Sequence, residues 1–272
     1  MQGGERSLVS AIILDDGLVH YEVLGHGRPL VFLHGWLGSW RYWMPTMDNL
    51  SDRFRTYAFD MWGFGDSDRN PQRYSLEAYV AQLDVFMEEL GVMKASLVGH
   101  AMGAAVALLF TERYPERVER VVAVSTPLAS SAVSKRLLLG SGGSLLDRML
   151  GRRAVADYPD VELEATKTDL NAVAASARSL DGLDLRAALD DLDSTPLLLV
   201  YGSKDPLVTP LTADDTRELD GNVRPISLND SGHFPMLDEA HKFQRLLRDF
   251  LDARPEDLKA LALKEEWRRR MH

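Results

Sequence analysis

An apolar segment that runs directly into a segment of small residues is the feature that most constrains how this chain can fold. Residues 95–98 are apolar and predict a strand, and residues 101–114 predict a helix. Gly99 and Gly103 lie at the junction between the two. Because glycine tolerates sharp turns and close backbone approach, the segment predicts a strand that turns abruptly into a helix.

A strand–turn–helix of this kind is the setting of a nucleophile elbow, in which a strained turn lifts one side chain above a sheet. The apex of the pattern calls for serine, and this chain has Ala101 there. Glycines four residues apart also arise by chance, so a helix packed closely on a strand is the alternative interpretation. However, His34-Gly35, Asp205 and His233 each follow a predicted strand, and nucleophile, acid, histidine is the chain order of this architecture.

The run from Gly99 to Gly103, Gly-His-Ala-Met-Gly, resembles the Gly-His-Ser-Met-Gly elbow of the α/β-hydrolase superfamily. The likeness extends over nearly the whole chain, from about residue 8 to residue 254. It implies an α/β fold with a mostly parallel, twisted sheet flanked by helices. It also implies a core of residues 1–127 and 195–272, with a helical cap inserted at 128–194. Helix-like spacing without a strand pattern in 128–194 favours that division.

Hydrophobic periodicity predicts the other elements. Strands are expected at residues 8–14, 18–24, 30–33, 55–59, 118–124, 196–201 and 223–228, the first two joined by a hairpin turn at 15–17. Ser75 should cap a helix that ends at Gly91, and a helix over 239–251 should close the fold. The tail 255–272, rich in Leu, Glu and Arg, predicts an added helix that packs on the body or on another subunit.

The resemblance also assigns catalytic roles. His233 would act as base and then acid, Asp205 would orient it, and position 101 (here Ala101) would hold the nucleophile. The backbone amides of Trp36 and Met102 would form the oxyanion hole, where fixed donors stabilise charge that appears only in the transition state.

Four residues are expected to border the substrate pocket: His34, Gly35, His100 and Phe234. Among them, His34 is expected to brace its loop by hydrogen bonding rather than to act as a base. The aromatic residues that follow this loop favour an apolar acyl or ring-bearing ligand. They are Trp36, Trp40, Tyr42 and Trp43.

Asp60 follows the predicted strand at 55–59 and is a second candidate carboxylate. Its expected role is to hold the turn beside the elbow, because the catalytic acid comes much later in the chain. Ser67, in the same loop, is not the expected nucleophile.

A methyl group at position 101 cannot attack a carbonyl carbon, and three explanations compete. The natural residue is serine and Ala101 is a deliberate substitution, so that substrate binds without turnover. Alternatively, the chain is a natural, non-catalytic ligand-binding protein, or the His233–Asp205 pair acts as a base without a nucleophile. Retention of Asp205, His233 and the His34-Gly35 loop favours the first, because an abandoned site should lose these residues too. This Ala101 form is expected to be inactive or nearly so.

Local sequence also separates the hydrolase classes. Epoxide hydrolases and haloalkane dehalogenases usually have tryptophan after the nucleophile, where this chain has Met102. Epoxide hydrolases also share a His-Gly-x-Pro loop and two cap tyrosines. In this chain Leu37 replaces that proline, and the expected cap, 128–194, holds only Tyr158. Carbon–carbon bond hydrolases tend to have tryptophan where Phe234 stands. A carboxylic-ester or lactone hydrolase acting through an acyl-enzyme is therefore the leading prediction, and these other chemistries are further alternatives.

Composition limits the partners. The net charge of −10 argues against nucleic acid or an anionic membrane as a partner. The absence of cysteine excludes disulfides and thiolate catalysis, and no His-x-x-x-His spacing suggests a metal. No cofactor is implied. The start of the chain lacks a signal-peptide core, and the longest apolar stretch, 101–110, is too short to span a bilayer. We expect a cytoplasmic monomer or homodimer with a small ester-like substrate.

Overall fold

Eight strands form a single sheet in the computed structural model, which describes residues 10–128, 143–181, 183–186, 189, 192, 195–208, 210–211, 222–254, 257–258 and 261. The strands are β1 Ser10–Leu14, β2 Gly17–Leu24, β3 Arg28–Leu33, β4 Phe54–Phe59, β5 Ala95–His100, β6 Val118–Val124, β7 Leu197–Gly202 and β8 Val223–Leu228. Their order is β1-β2-β4-β3-β5-β6-β7-β8. Only the β1–β2 and β2–β4 pairs are antiparallel; the other pairs are parallel.

The central strands β3, β5, β6 and β7 are buried along almost their whole length. Parallel strands covered on both faces by helices have this near-continuous apolar character. At the antiparallel end, Asp15 and Asp16 have φ values of 45° and 63°. Positive φ at both central residues is what a type I′ hairpin turn requires, so the predicted turn at 15–17 is confirmed.

Helices cover the sheet and connect its parallel strands. Those in the described residues are α1 Met44–Leu50, α2 Leu76–Glu89, α3 Met102–Arg113, α4 Leu145–Leu150, α5 Arg152–Asp157, α6 Pro159–Ala165, α7 Leu170–Leu180, α8 Pro235–Asp238 and α9 Ala240–Asp252. As predicted, Ser75 caps α2: its hydroxyl accepts a hydrogen bond from the Ala78 amide at 3.1 Å.

Within the described residues, the predicted elements are confirmed with shifts of one or two residues at their ends. Residues 8 and 9 of the first predicted strand lie outside the described residues. The strands at 118–124 and 223–228 match residue for residue. By contrast, β3 begins two residues before the predicted strand, and β5 continues two residues beyond residue 98. Most of the tail 255–272 lies outside the described residues, so the helix expected there stays a prediction.

The residues between β6 and β7, 125–196, include α4 to α7, and the described part of this stretch contains no strand. We call residues 128–194 the inserted segment. It bonds to the core at several points. The Trp36 indole N–H donates to the Ser176 hydroxyl at 2.9 Å, and the Tyr158 hydroxyl donates to Asp238 at 2.6 Å. Its role as a separate cap domain stays a prediction.

Two further observations apply only to the ranges given above. No helix there is long and apolar enough to cross a membrane. No group of three or more His, Asp or Glu side chains there is arranged to hold a metal ion.

Candidate active site

The turn between β5 and α3 is a single residue, Ala101. Its φ and ψ are 49° and −109°, a combination that is strained for a residue with a Cβ atom. The glycines on either side are required by close packing. A Cβ atom on Gly99 would collide with the backbone of Gly103 and Ala104, and one on Gly103 would lie 2.6 Å from the His34 carbonyl oxygen. This is the geometry of the predicted elbow.

Asp205 and His233 come from separate loops and meet directly. Asp205 lies in the turn after β7, and His233 lies between β8 and α8. The Nδ1 atom of His233 is 2.9 Å from Oδ2 of Asp205, and the two side chains are 4% and 1% exposed. The other carboxylate oxygen accepts the amides of Leu207 at 2.8 Å and Val208 at 3.3 Å. One oxygen therefore fixes the loop while the other holds the histidine.

The surroundings of Asp205 favour its ionised form. Burial alone would raise its pKa. The charge and hydrogen bond of His233, together with the Leu207 and Val208 amides, outweigh that effect and hold the pKa of Asp205 below its ordinary value. An ionised Asp205 accepts the Nδ1–H of His233, which leaves the lone pair of His233 on Nε2, the atom that a general base uses.

Three loops meet at this site, and the elbow is one of them. The ring of His233 packs on the ring of His100 with 4.8 Å between centroids, and His100 directly precedes Ala101. Gly35 is so close on the other side that a Cβ atom there would lie 3.0 Å from the Ala101 methyl group. These loops follow β3, β5 and β8, so the site lies at the carboxyl edge of the parallel sheet, the usual ligand position in such folds.

Two backbone amides beside Ala101 are available as donors. Met102 is the first residue of α3, so its N–H has no acceptor within the helix. Across the part of the chain that the structure describes, neither Met102 N–H nor Trp36 N–H donates to a protein acceptor. The loop before Trp36 is held in place, since the Gly35 N–H donates to the Tyr42 hydroxyl at 2.7 Å.

Comparison with known proteins identifies the family of this chain. Residues 28–157 match the family model of the alpha/beta hydrolase fold. The chain belongs to the α/β-hydrolase superfamily. Proteins similar to it include methyl ester esterases, a heptadienoate hydrolase and, in fold, an enol-lactonase.

Two proteins of similar sequence and one solved structure of similar fold are informative. A pimeloyl-(acyl-carrier protein) methyl ester esterase of Aliivibrio fischeri is 26% identical over 86% of this chain and 97% of its own length. A 2-hydroxy-6-oxo-2,4-heptadienoate hydrolase of Pseudomonas putida is 28% identical over 85% of this chain and 91% of its own. The enol-lactonase of Burkholderia xenovorans superposes with a TM-score of 0.77 at 22% identity, covering 90% of this chain and all of that one.

The predicted pocket residues of this α/β-hydrolase, His34, Gly35, His100 and Phe234, are all buried. His34 braces its loop: its Nε2 accepts the Met61 amide at 2.9 Å, so its Nδ1–H donates to the Gly35 carbonyl at 2.9 Å. Burial lowers the pKa of His34 to about 4, so this ring is neutral at physiological pH. That these residues border a substrate stays a prediction.

Asp60 also braces the α/β-hydrolase site. Its two carboxylate oxygens accept the amides of Trp40 and Asp66, each at 2.9 Å, and its side chain is fully buried. Burial raises the pKa of Asp60 to about 7 because the two amides offset only part of the desolvation. The carboxyl group joins the loop after β3 to the loop after β4.

Sequence reasoning missed the roles of Tyr42 and Ser125. The Tyr42 hydroxyl lies 3.1 Å from Nδ1 of His100, whereas the sequence placed Tyr42 only in an aromatic wall. Ser125 has a φ of 48°, and its hydroxyl donates to the His233 carbonyl at 3.1 Å. Neither contact has a signal in local sequence, because each joins loops that are distant in the chain.

A cavity of about 320 Å³ lies between the inserted segment and the core, a volume within the range of small-ligand pockets. Its walls include Tyr42, Pro45, Tyr158, Val161 and Leu237. Tyr158 also packs on Phe234, with ring centroids 4.9 Å apart. The cavity is therefore adjacent to the histidine loop.

Proposed function

We propose that this α/β-hydrolase cleaves a small or medium carboxylic ester or lactone through an acyl-enzyme when residue 101 is serine. The Ala101 form then binds the ester without turning it over. The observation that carries the proposal is the buried 2.9 Å hydrogen bond between Asp205 and His233, retained beside a strained turn at Ala101. Such strain costs on the order of 1–3 kcal/mol. A methyl group gains nothing from that turn, whereas a nucleophilic side chain gains its position at the tip of the turn.

In the serine form, Oγ of residue 101 attacks the substrate carbonyl carbon while Nε2 of His233 takes the hydroxyl proton. The carbonyl oxygen becomes negative and accepts hydrogen bonds from the amides of Trp36 and Met102. His233 then returns the proton to the leaving alcohol, and the acyl group stays on residue 101. Water repeats the sequence, releasing the acid and restoring the hydroxyl. Asp205 holds the imidazole and stabilises its positive charge throughout.

The relatives support acyl transfer as the reaction class. A methyl ester esterase and an enol-lactonase both cleave acyl–oxygen bonds, and the proposed mechanism needs no cofactor. Carbon–carbon bond cleavage is the second chemistry to consider, because a heptadienoate hydrolase is similar over 85% of this chain. In this proposal the protein acts in the cytoplasm on a small molecule, as a monomer or homodimer.

Ala101 itself favours a second candidate function, that of a non-catalytic binding protein on the same fold. A side chain without a hydroxyl leaves the pocket and the amides of Trp36 and Met102 able to hold a ligand, but not to form an acyl-enzyme.

The test is to compare this chain with its Ala101→Ser variant. Both are treated with a fluorophosphonate probe and with p-nitrophenyl esters of increasing acyl length. We expect probe labelling and a burst of p-nitrophenol only in the serine form. Adding His233→Ala or Asp205→Asn to the serine form should lower kcat by about 10⁴-fold, because the remaining groups no longer activate the hydroxyl.

Other outcomes point elsewhere. A serine form that stays inert, together with tight small-molecule binding by the Ala101 form, would favour the non-catalytic binding protein. Equal hydrolysis by both forms would mean that the His233–Asp205 pair acts as a base without a nucleophile at residue 101.

A further inference from the structure

We infer that Tyr42 is a positioning residue that acts through His100 to tie the oxyanion loop to the loop of the catalytic histidine. The inference rests on the proposed roles of Trp36 and His233. Three consecutive hydrogen bonds carry it: Gly35 N–H to the Tyr42 hydroxyl at 2.7 Å, Tyr42 to Nδ1 of His100 at 3.1 Å, and Nε2 of His100 to the His233 carbonyl at 2.9 Å.

The backbone groups at the two ends of this series fix the direction of all three hydrogen bonds. A backbone amide only donates and a backbone carbonyl only accepts. Because the Gly35 N–H donates to the Tyr42 oxygen, the hydroxyl proton is free to point to Nδ1 of His100. Because the His233 carbonyl can only accept, Nε2 of His100 carries the hydrogen in the bond between them. His100 is therefore neutral and held as a single tautomer.

The environment of His100 agrees with a neutral ring. Burial, reinforced by the neighbouring His233, holds the pKa of His100 well below its ordinary value. A second cation 4.8 Å from the His233 ring would oppose protonation of His233 during proton transfer. A neutral His100 removes that opposition.

These three hydrogen bonds place the Tyr42 hydroxyl between the loop of Trp36 and the loop of His233. At one end, Gly35 immediately precedes Trp36, whose amide is a proposed oxyanion donor. At the other end, the His233 carbonyl is held by His100 and also by the Ser125 hydroxyl. The Tyr42 hydroxyl thus sets the distance between oxyanion donors and base. Misplacing reacting groups by about 1 Å can lower a rate about 100-fold.

The kinetic test is Tyr42→Phe in the Ala101→Ser background. Phenylalanine keeps the ring packing of Tyr42 on Trp43 and Phe234 and removes only the hydroxyl. We expect kcat to fall about 10- to 100-fold with KM changed by less than about threefold. The matched control is Tyr79→Phe, because Tyr79 is also buried but its hydroxyl donates to the Trp62 carbonyl at 3.1 Å. The control should lose stability without losing kcat.

Conservative rescue separates positioning from packing. His100→Gln offers an amide oxygen to the Tyr42 hydroxyl and an amide N–H to the His233 carbonyl, so it should retain most of kcat. His100→Leu fills similar space without either bond and should lose kcat as Tyr42→Phe does.

A second readout does not depend on hydrolysis. Nitrogen-15 NMR of the imidazoles in the Ala101 chain should show His100 neutral with its proton on Nε2 near neutral pH. Tyr42→Phe should shift the His100 and His233 signals, and Tyr79→Phe should leave them in place. Unchanged His100 and His233 signals in Tyr42→Phe, or equal loss of kcat in both phenylalanine variants, would overturn the inference. If the Ala101→Ser form proves inert, the proposed function fails, while the NMR comparison still decides whether Tyr42 holds His100.

Discussion

Asp205 and Asp60, whose side chains are both buried, show how one residue type takes different roles in this α/β-hydrolase. Asp205 faces the His233 ring and two amides, so its pKa lies below the ordinary value. Asp60 faces two amides and the negative charges of Asp66 and Glu164, so burial prevails and its pKa rises to about 7. The same residue type is thus an ionised partner at one position and a partly protonated brace at the other.

The raised pKa of Asp60 predicts a pH-dependent stability. An aspartate with a folded pKa of about 7 and an unfolded value of about 4 contributes fully below about pH 4. That contribution is lost as pH rises through 7. We expect the free energy of unfolding to contain a decrease on the order of 2 kcal/mol between about pH 5 and 8 from this group. Asp60→Asn should remove it, as measured by urea unfolding at both pH values.

The control for that experiment is Asp48→Asn, since Asp48 is exposed on α1. It makes the same change of charge and should leave the pH dependence as it is. Identical pH slopes in the Asp60→Asn variant and the unchanged chain would show that Asp60 is ionised throughout the range.

At the scale of elements, the strand–turn–helix was predictable and its boundary was not. The sequence prediction ended the strand at residue 98, where the apolar run ends. In the sheet, Gly99 pairs with Ala123 and His100 with Val124, and the neighbouring strand β6 thereby extends β5 up to the turn. The partner strand, which local sequence does not specify, decides where β5 ends.

The close approach of α3 to β3 predicts a large cost for a methyl group at Gly103. A Cβ atom there would overlap the carbonyl oxygen of Leu33 and lie 2.6 Å from that of His34, both of them backbone atoms. We expect Gly103→Ala to lower the free energy of unfolding by about 3 kcal/mol, measured by urea titration. Gly91→Ala is the control, since Gly91 has a φ of 66° with open space around it and should cost about 1 kcal/mol. Equal losses of stability in Gly103→Ala and Gly91→Ala would mean that α3 can move away from β3 to make room for the methyl group.

At the scale of the whole molecule, Glu164 connects the inserted segment to the core. Its carboxylate is almost fully buried and receives the Ser39 hydroxyl at 2.8 Å and the Arg41 guanidinium at 3.0 Å. Lys167 lies 3.2 Å from it and 3.1 Å from Asp66 of the core. A buried carboxylate between cations is costly to disturb, because removing its charge leaves its partners unmatched.

Replacing Glu164 should therefore loosen the inserted segment. We expect Glu164→Gln to lower the free energy of unfolding by about 1–3 kcal/mol and to speed proteolysis within residues 143–181. Arg153→Gln is the control: Arg153 is paired with Asp157 at 3.7 Å, is 94% exposed and should contribute less than about 0.5 kcal/mol. Unchanged proteolysis in Glu164→Gln would show that packing alone holds the segment.

Much of the fold and the main features of the candidate site followed from the sequence. Hydrophobic periodicity predicted the strands and helices, and turn chemistry predicted the hairpin and the elbow, because both act over neighbouring residues. The pairing of Asp205 with His233 was predictable because each lies in the loop after a predicted strand, in the chain order that the resemblance implies. The pocket residues were less predictable, since their surroundings come from several loops.

The sequence by itself determined the order of the elements, the turn at Ala101 and the two residues, Asp205 and His233, that pair beside it. Only the tertiary structure decided which polar groups meet around them, such as Tyr42 with His100 and Ser39 with Glu164. These partners are 58 and 125 residues apart. Tyr42 meets His100 because β3 lies beside β5 in the sheet, and Ser39 meets Glu164 because the inserted segment contacts the core. Burial shifts the pKa values of groups such as His100 and Asp60, and burial is a property of the packed molecule.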